Sequence, residues 1–126
     1  MSRFLWICLG GAVGSGLRYL VAVFAANRLS AGFPYGTLIV NLLGCFIIAG
    51  VMQAALQFAW SPTLRMAIAV GFVGGLTTYS SFNYETMTLI ANGASMAALS
   101  NVMLTLVGGV ASGWLGLMTA KWVFGG

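Results

Sequence analysis

The sequence predicts an all-α integral membrane protein with four transmembrane helices, because the chain is apolar along its length and almost uncharged. Of its 126 residues, 60% are hydrophobic and only 5% are charged. Soluble domains carry about 25% charged residues, so no folded shape of this chain could present a polar surface to water. A bilayer core of roughly 30 Å needs about 20 apolar residues per helix. Residues 1–126 therefore have room for four spans in a single domain.

Turn formers and caps separate the four predicted spans. Segment 27–36 contains glycine and proline and predicts a loop. Ser61 and Pro62 supply an N-cap candidate and a proline at the first helical position, and segment 92–95 predicts a tight turn. The helices are predicted over about residues 4–26, 37–59, 63–91 and 96–123.

Composition excludes several classes of function. Histidine is absent, which removes Cys/His metal sites and histidine-based catalysis. No other nucleophile–base pair is visible, so the chain is predicted not to be an enzyme. The basic residues are scattered singly, and no basic patch indicates a nucleic acid partner. Cys8 and Cys45 lie in apolar segments and are interpreted as small buried thiols rather than a disulfide.

Glycines four residues apart indicate where helices approach each other closely, because small residues drive helix association in lipid. Three such pairs occur within the predicted helices, and most of the glycines are interpreted as packing residues. The pairs are Gly10 with Gly14, Gly71 with Gly75, and Gly109 with Gly113.

Charge places few constraints on orientation in the membrane. If the helices alternate in direction, Arg3, Arg65 and Lys121 lie on one side and Arg28 on the other. That imbalance is a weak positive-inside signal, so the chain is predicted to insert in either direction. One subunit is too small to enclose a lined pore. An inverted copy would complete it, which predicts an antiparallel homodimer.

The third helix carries the unusual chemistry. Between Gly71 and Glu85, adjacent glycines are followed by consecutive hydroxyl residues and an asparagine. These residues predict a helix broken near its middle, which lipid tolerates only where the break faces protein or water. Such a break offers carbonyls to a cation and N–H groups or hydroxyls to an anion. The alternative is a glycine kink in which the serines bond back onto the helix.

Further polar residues can converge on this segment from the second and fourth helices. They are rich in hydrogen-bond donors, which suit a small anion, as do the positive edges of aromatic rings. Carboxylates, which a cation or proton pathway would use, are nearly missing. The predicted polar track contains Asn41, Ser80, Ser81, Asn83, Asn101 and Thr105.

Two charged residues lie within the predicted spans. Arg18 inside a helix costs roughly 2.5–3.5 kcal/mol on insertion scales, so a partner or water is expected beside it. Glu85 is the only acidic residue and is predicted at similar depth. The two form either a structural ion pair or a charged vestibule, and these interpretations are compatible.

At this point the residues match a family along essentially the whole chain: the sequence resembles the small fluoride channels of the Fluc/CrcB family. The match consists of glycine-rich motifs in the first three helices, with Arg18, Asn41 and Glu85 at corresponding places. The motifs are Gly10-Gly11-Ala12-x-Gly14, Gly36-Thr37-Leu38-x-x-Asn41 and Gly71-x-x-Gly74-Gly75-x-Thr77-Thr78-Tyr79-Ser80-Ser81-Phe82.

The resemblance implies a passive fluoride channel that exports the ion across a microbial, specifically bacterial, cytoplasmic membrane. It implies a dual-topology antiparallel homodimer with two pores, multi-pass in each subunit. Tyr79, where the family usually has phenylalanine, and Phe82 would contact fluoride through their ring edges. Asn41, Ser80 and Ser81 match pore residues. A structural Na⁺ at the dimer interface would be held by backbone carbonyls of Gly74 and Thr77.

Two other functions fit a small membrane protein. A dual-topology multidrug cation/proton antiporter needs a membrane-embedded acid, which its family carries on the first helix, and the first helix here has none. A structural or lesion-forming oligomer would not require the consecutive Thr, Ser and aromatic residues of the third helix. The sequence therefore favours the channel over both.

Overall fold

The computed structural model describes residues 1–125, and all regular secondary structure in this part of the chain is helical, without strands. The predicted third helix is divided into short pieces, whereas the others are continuous. The elements are α1 (Ser2–Arg28), α2 (Tyr35–Gln57), α3 (Pro62–Met66), a π-helical segment (Ala67–Val73), α4 (Gly74–Leu76), α5 (Tyr79–Ala91) and α6 (Ser95–Phe124).

Three helices, α1, α2 and α6, are long and apolar enough to cross a membrane, with 27, 23 and 30 residues. We call residues 62–91, the divided third helix, the interrupted segment. It begins where the sequence predicts: the hydroxyl of Ser61 accepts a hydrogen bond from the N–H of Leu64 at 3.2 Å, and Pro62 begins α3. The segment is then interrupted at Thr77 and Thr78, whose backbone is extended, with ψ of 157° and 114°. The interruption lies within the polar run where the sequence predicts it.

Helix α1 packs against the π-helical segment and α4 through two facing glycine pairs. A Cβ atom on Gly14 would collide with the carbonyl of Phe72, and one on Gly75 would lie 2.6 Å from the carbonyl of Gly11. The two backbones touch because neither side has a side chain at these positions. The predicted role of both pairs in close packing is confirmed.

Helix α6 packs along α2 and also contacts α5. The Ser112 hydroxyl donates to the Leu42 carbonyl across this contact at 2.8 Å. The core is small: Leu76, Val40 and Asn101 are the largest fully buried side chains, while apolar residues such as Val110 and Trp122 are largely exposed. This exposed apolar surface needs lipid or another protein chain to cover it.

The cysteines lie at different depths. Both are free thiols, as predicted, and Cys45 is half-buried. The prediction that Cys8 is buried is wrong, because Cys8 is exposed, whereas the buried contacts of α1 are made by its glycines.

Candidate pore groove

The interruption at Thr77 and Thr78 is stabilised by an asparagine from α2. The Thr78 N–H donates to Oδ1 of Asn41 at 2.8 Å, and Nδ2 of Asn41 donates to the Thr78 carbonyl at 3.1 Å. In a continuous helix the Thr78 N–H would donate to the carbonyl four residues earlier, which belongs to Gly74. The side chain of Asn41 therefore replaces a helical bond and releases the Gly74 carbonyl.

The side chain of Thr78 begins the next helix. Its hydroxyl accepts from the Ser81 N–H at 3.2 Å, so Thr78 is the N-cap of α5. The same hydroxyl lies 3.1 Å from the Ser81 hydroxyl and 3.3 Å from that of Ser80. Three hydroxyls are thereby gathered at the positive end of a helix dipole, which favours negative charge.

A groove of about 420 Å³ runs between α2, the interrupted segment and α6. We call it the pore groove. Among the predicted pore residues, Asn41, Tyr79, Phe82 and Thr105 line it, together with Thr78. Its other lining residues are Gly44, Cys45, Ile48, Ala69, Val73, Gly74, Thr77 and Leu106.

The two aromatic residues of the groove differ in exposure. Phe82 is 7% exposed, whereas Tyr79 is 77% exposed. Their ring centroids are 5.7 Å apart, with the planes tilted by 53°. The tilt turns the rings away from a parallel stack, and the exposed Tyr79 ring lies where the groove opens to the surroundings.

The remaining predicted pore residues do not line the groove. Ser80 and Ser81 belong to the hydroxyl cluster at the start of α5. Asn101 is completely buried, and its Nδ2 donates to the Thr86 hydroxyl at 2.9 Å. Asn83 is exposed on α5.

Gly74 and Thr77, the predicted cation ligands, also line the pore groove. The Thr77 hydroxyl donates to the Val73 carbonyl at 3.0 Å, so its side chain is already paired within the segment. The Gly74 carbonyl has lost its helical donor to Asn41. Since residues 1–125 contain no cluster of His, Cys, Asp or Glu able to bind a metal, a cation here would depend on such backbone oxygens. The residues present are compatible with a monovalent cation.

Arg18 and Glu85 do not contact each other within residues 1–125 of one chain. Arg18 donates to the Ser15 hydroxyl at 3.4 Å, and Glu85 accepts from the Thr37 hydroxyl at 2.8 Å. The expected ion pair is therefore absent from this part of the chain, and each charged side chain binds a hydroxyl instead. Glu85 instead borders two cavities of about 290 and 490 Å³ beside the α1–α2 loop, which suits the vestibule interpretation.

Three threonines have roles that the sequence did not assign. Thr37 binds Glu85, Thr78 caps α5, and Thr86 joins Asn101 to the Phe82 carbonyl. Spacing offered a signal for two of them. Thr37 precedes Asn41 by four residues and Thr86 follows Phe82 by four, which places each pair on one helix face.

Comparison with known proteins identifies the family. A family model described as CrcB-like protein, Camphor Resistance (CrcB), matches residues 5–117. The chain belongs to the CrcB family. Relatives similar to it over their whole length occur in Anaeromyxobacter dehalogenans, at 45% identity over 99% of this chain and 100% of the relative, and in Sorangium cellulosum, at 43% identity over 100% of both. A relative from Clostridium perfringens is 41% identical over 81% of this chain and 80% of its own length.

All three relatives are named fluoride-specific ion channel FluC. The resemblance to the Fluc/CrcB family is thus confirmed along the chain. The relatives are bacterial and are named as channels rather than enzymes, as the sequence predicts. Together with the three apolar helices, they make this CrcB-family chain a bacterial membrane protein.

Proposed function

We propose that this chain is a passive, fluoride-selective channel that exports F⁻ across the cytoplasmic membrane. The chemistry of the pore groove carries the proposal. Its lining offers the Asn41 amide, the Thr105 hydroxyl and the rings of Tyr79 and Phe82, and includes no carboxylate among residues 1–125. The names of the full-length relatives support fluoride as the ion.

A small anion leaves water only if hydrogen-bond donors replace its hydration shell, just as backbone carbonyls replace the hydration shell of K⁺ in potassium channels. Amide N–H and hydroxyl groups are such donors, and an aromatic ring presents a positive edge. Passive flow is sufficient for export, because fluoride enters acidified cells as neutral HF and dissociates inside. The sequence has no nucleotide-binding loop to couple transport to energy.

An inverted second copy would close the groove, with one pore for each subunit. The groove is open in one chain, and the Tyr79 ring at its opening is 77% exposed. In lipid, polar backbone at an interruption requires protein or water beside it, and a partner subunit supplies the protein. Each subunit would cross the membrane four times, through α1, α2, α6 and the interrupted segment 62–91.

A structural Na⁺ would lie between the two copies, held by the carbonyls of Gly74 and Thr77 from each subunit. The release of the Gly74 carbonyl by the Asn41–Thr78 pair supports this site. Carbonyls that face each other across a dry interface repel, and one monovalent cation would relieve the repulsion. A divalent cation would be expected to need carboxylates or several waters.

Growth of a fluoride-sensitive bacterium tests the export function. A strain without its own fluoride exporter should grow in fluoride at mildly acidic pH when it produces this protein. Phe82→Ile should abolish the rescue, because an aliphatic side chain has no positive edge. Phe4→Ile, at a position 66% exposed on α1, is the matched control and should retain it. Failure of the wild-type protein to restore growth, although present in the membrane, contradicts the proposal.

A further inference from the structure

Asn101 is connected to Phe82, which lines the pore groove, through two consecutive hydrogen bonds. Its Nδ2 donates to the Thr86 hydroxyl at 2.9 Å, and that hydroxyl donates to the Phe82 carbonyl at 2.7 Å. All three residues are at least nine-tenths buried, with exposures of 0%, 9% and 7%. We infer that Asn101 and Thr86 are positioning residues that hold Phe82 in the groove, rather than contacts of the ion.

Hydrogen-bond counting fixes the orientation of the Asn101 amide. A threonine hydroxyl has one proton, and Thr86 directs it to the Phe82 carbonyl. Thr86 must therefore accept from Asn101, which turns the donor end of the amide toward α5. The other end, Oδ1, is an acceptor, and Asn101 does not line the pore groove, so its second N–H does not face the proposed ion path.

The position of α5 explains why Phe82 needs this support. The interruption at Thr77 and Thr78 removes the rigid helical connection to α4, so α5 has to be located by contacts from its neighbours. Asn41 of α2 holds Thr78, four residues before Phe82, and Asn101 of α6 holds Thr86, four residues after it. The ring is thus supported one helical turn away on either side.

Fluorine NMR tests the positioning role without ion flow. 4-Fluorophenylalanine is placed at position 82 of the full-length protein in fluoride-free liposomes, and the ¹⁹F resonance reports the surroundings of the ring. Asn101→Leu and Thr86→Val should each shift or broaden it, whereas Thr86→Ser, which keeps the hydroxyl, should not. Thr88→Val is the matched control, because the Thr88 hydroxyl makes the same bond back to its own helix, to the Tyr84 carbonyl at 2.9 Å, from an exposed position.

Fluoride efflux from liposomes supplies the second readout and rests on the proposed function. Asn101→Leu and Thr86→Val should each slow efflux by roughly threefold to tenfold, as expected for one interhelical hydrogen bond in lipid. The double variant should be no slower than the worse single one, because both changes break the same connection. Thr86→Ala takes the place of Thr86→Val if the valine protein does not assemble.

An unchanged ¹⁹F resonance in Asn101→Leu, or effects on efflux that multiply in the double variant, would overturn the inference and favour direct contact with the ion. Failure of the wild-type protein to conduct fluoride is a different outcome. It would refute the proposed function, while the NMR measurement would still decide whether Asn101 positions the ring.

Discussion

The side-chain amide of Asn41 is hydrogen-bonded to both backbone groups of Thr78, at 2.8 Å to the N–H and 3.1 Å to the carbonyl. This pair satisfies the backbone at the point where the helix is interrupted, and each unsatisfied group in lipid would cost several kcal/mol. An asparagine NH₂ has two hydrogens, so one remains for the groove that Asn41 lines. One residue thus maintains the interruption and contributes a donor to the proposed ion path.

Replacing Asn41 should remove most fluoride flux. Asn41→Ala deletes both bonds to Thr78, and Asn41→Asp sets a carboxylate oxygen against the Thr78 carbonyl and places an anion in the groove. Liposome efflux should fall at least about tenfold, consistent with the loss of two hydrogen bonds. Gln57→Ala, an exposed polar position on the same helix, should conduct normally. Normal flux from folded Asn41 variants would assign this residue to packing alone.

Substitutions of the two aromatic residues should reduce fluoride efflux only where the ring edge is lost. Phe82→Ile replaces a buried ring by an aliphatic side chain without a positive edge, so fluoride efflux should be largely lost. Tyr79→Phe keeps the ring and should remain active. Both are measured as efflux rates from liposomes with matched protein content. A fully active Phe82→Ile protein would argue against ring-edge contact with fluoride.

The contact between α1 and the interrupted segment should tolerate no added methyl group. In Gly14→Ala the new Cβ would meet the Phe72 carbonyl and would lie 2.9 Å from the Leu76 nitrogen. Both are backbone atoms that cannot rotate away, so the stability of the fold should fall by about 1–3 kcal/mol. Thermal unfolding in detergent, followed by the fraction of monodisperse protein, measures the loss.

Gly16→Ala is the matched control, because its Cβ would have nothing within 4 Å. It should be neutral or gain up to about 1 kcal/mol from helix propensity. Equal stability of the two variants would show that the facing glycines do not determine the packing of α1.

Sodium should behave as a structural ion. Replacing it on both sides of the membrane with a large organic cation should weaken the dimer or its fluoride flux, because the facing carbonyls would lose the charge that joins them. Radioactive sodium should not move with fluoride. Tracer flux that rises in proportion to fluoride flux would identify a cotransporter, and a dimer structure with these carbonyls directed away from each other would refute the site.

Sequence predicted those features that are determined locally. The Ser61–Pro62 start, the loops and the interruption near Thr77 follow from turn residues, caps and adjacent glycines. The π-helical segment Ala67–Val73 was not predicted, because its sequence is apolar and has no local signal for that geometry. It lies against α1, and the close contact at Gly71 and Gly75 depends on residues more than fifty positions earlier in the chain.

The site was predictable in composition but not in its pairings. A polar residue on one helix can bond to any neighbour, and periodicity gives its face without naming its partner. Asn101 was therefore predicted as a pore donor, yet in the structure its donor end is directed to Thr86. For the same reason Arg18 and Glu85 were expected to be near each other, and each instead binds a hydroxyl in its own surroundings.

Efflux from liposomes that contain the pure protein, with internal fluoride and chloride followed by separate electrodes, tests the central claim most directly. A potassium ionophore is added so that charge does not build up, and no other energy source is present. The proposed function predicts rapid loss of fluoride while chloride is retained. Equal loss of both ions, or proton-coupled uptake of a lipophilic cation without fluoride flux, would contradict it.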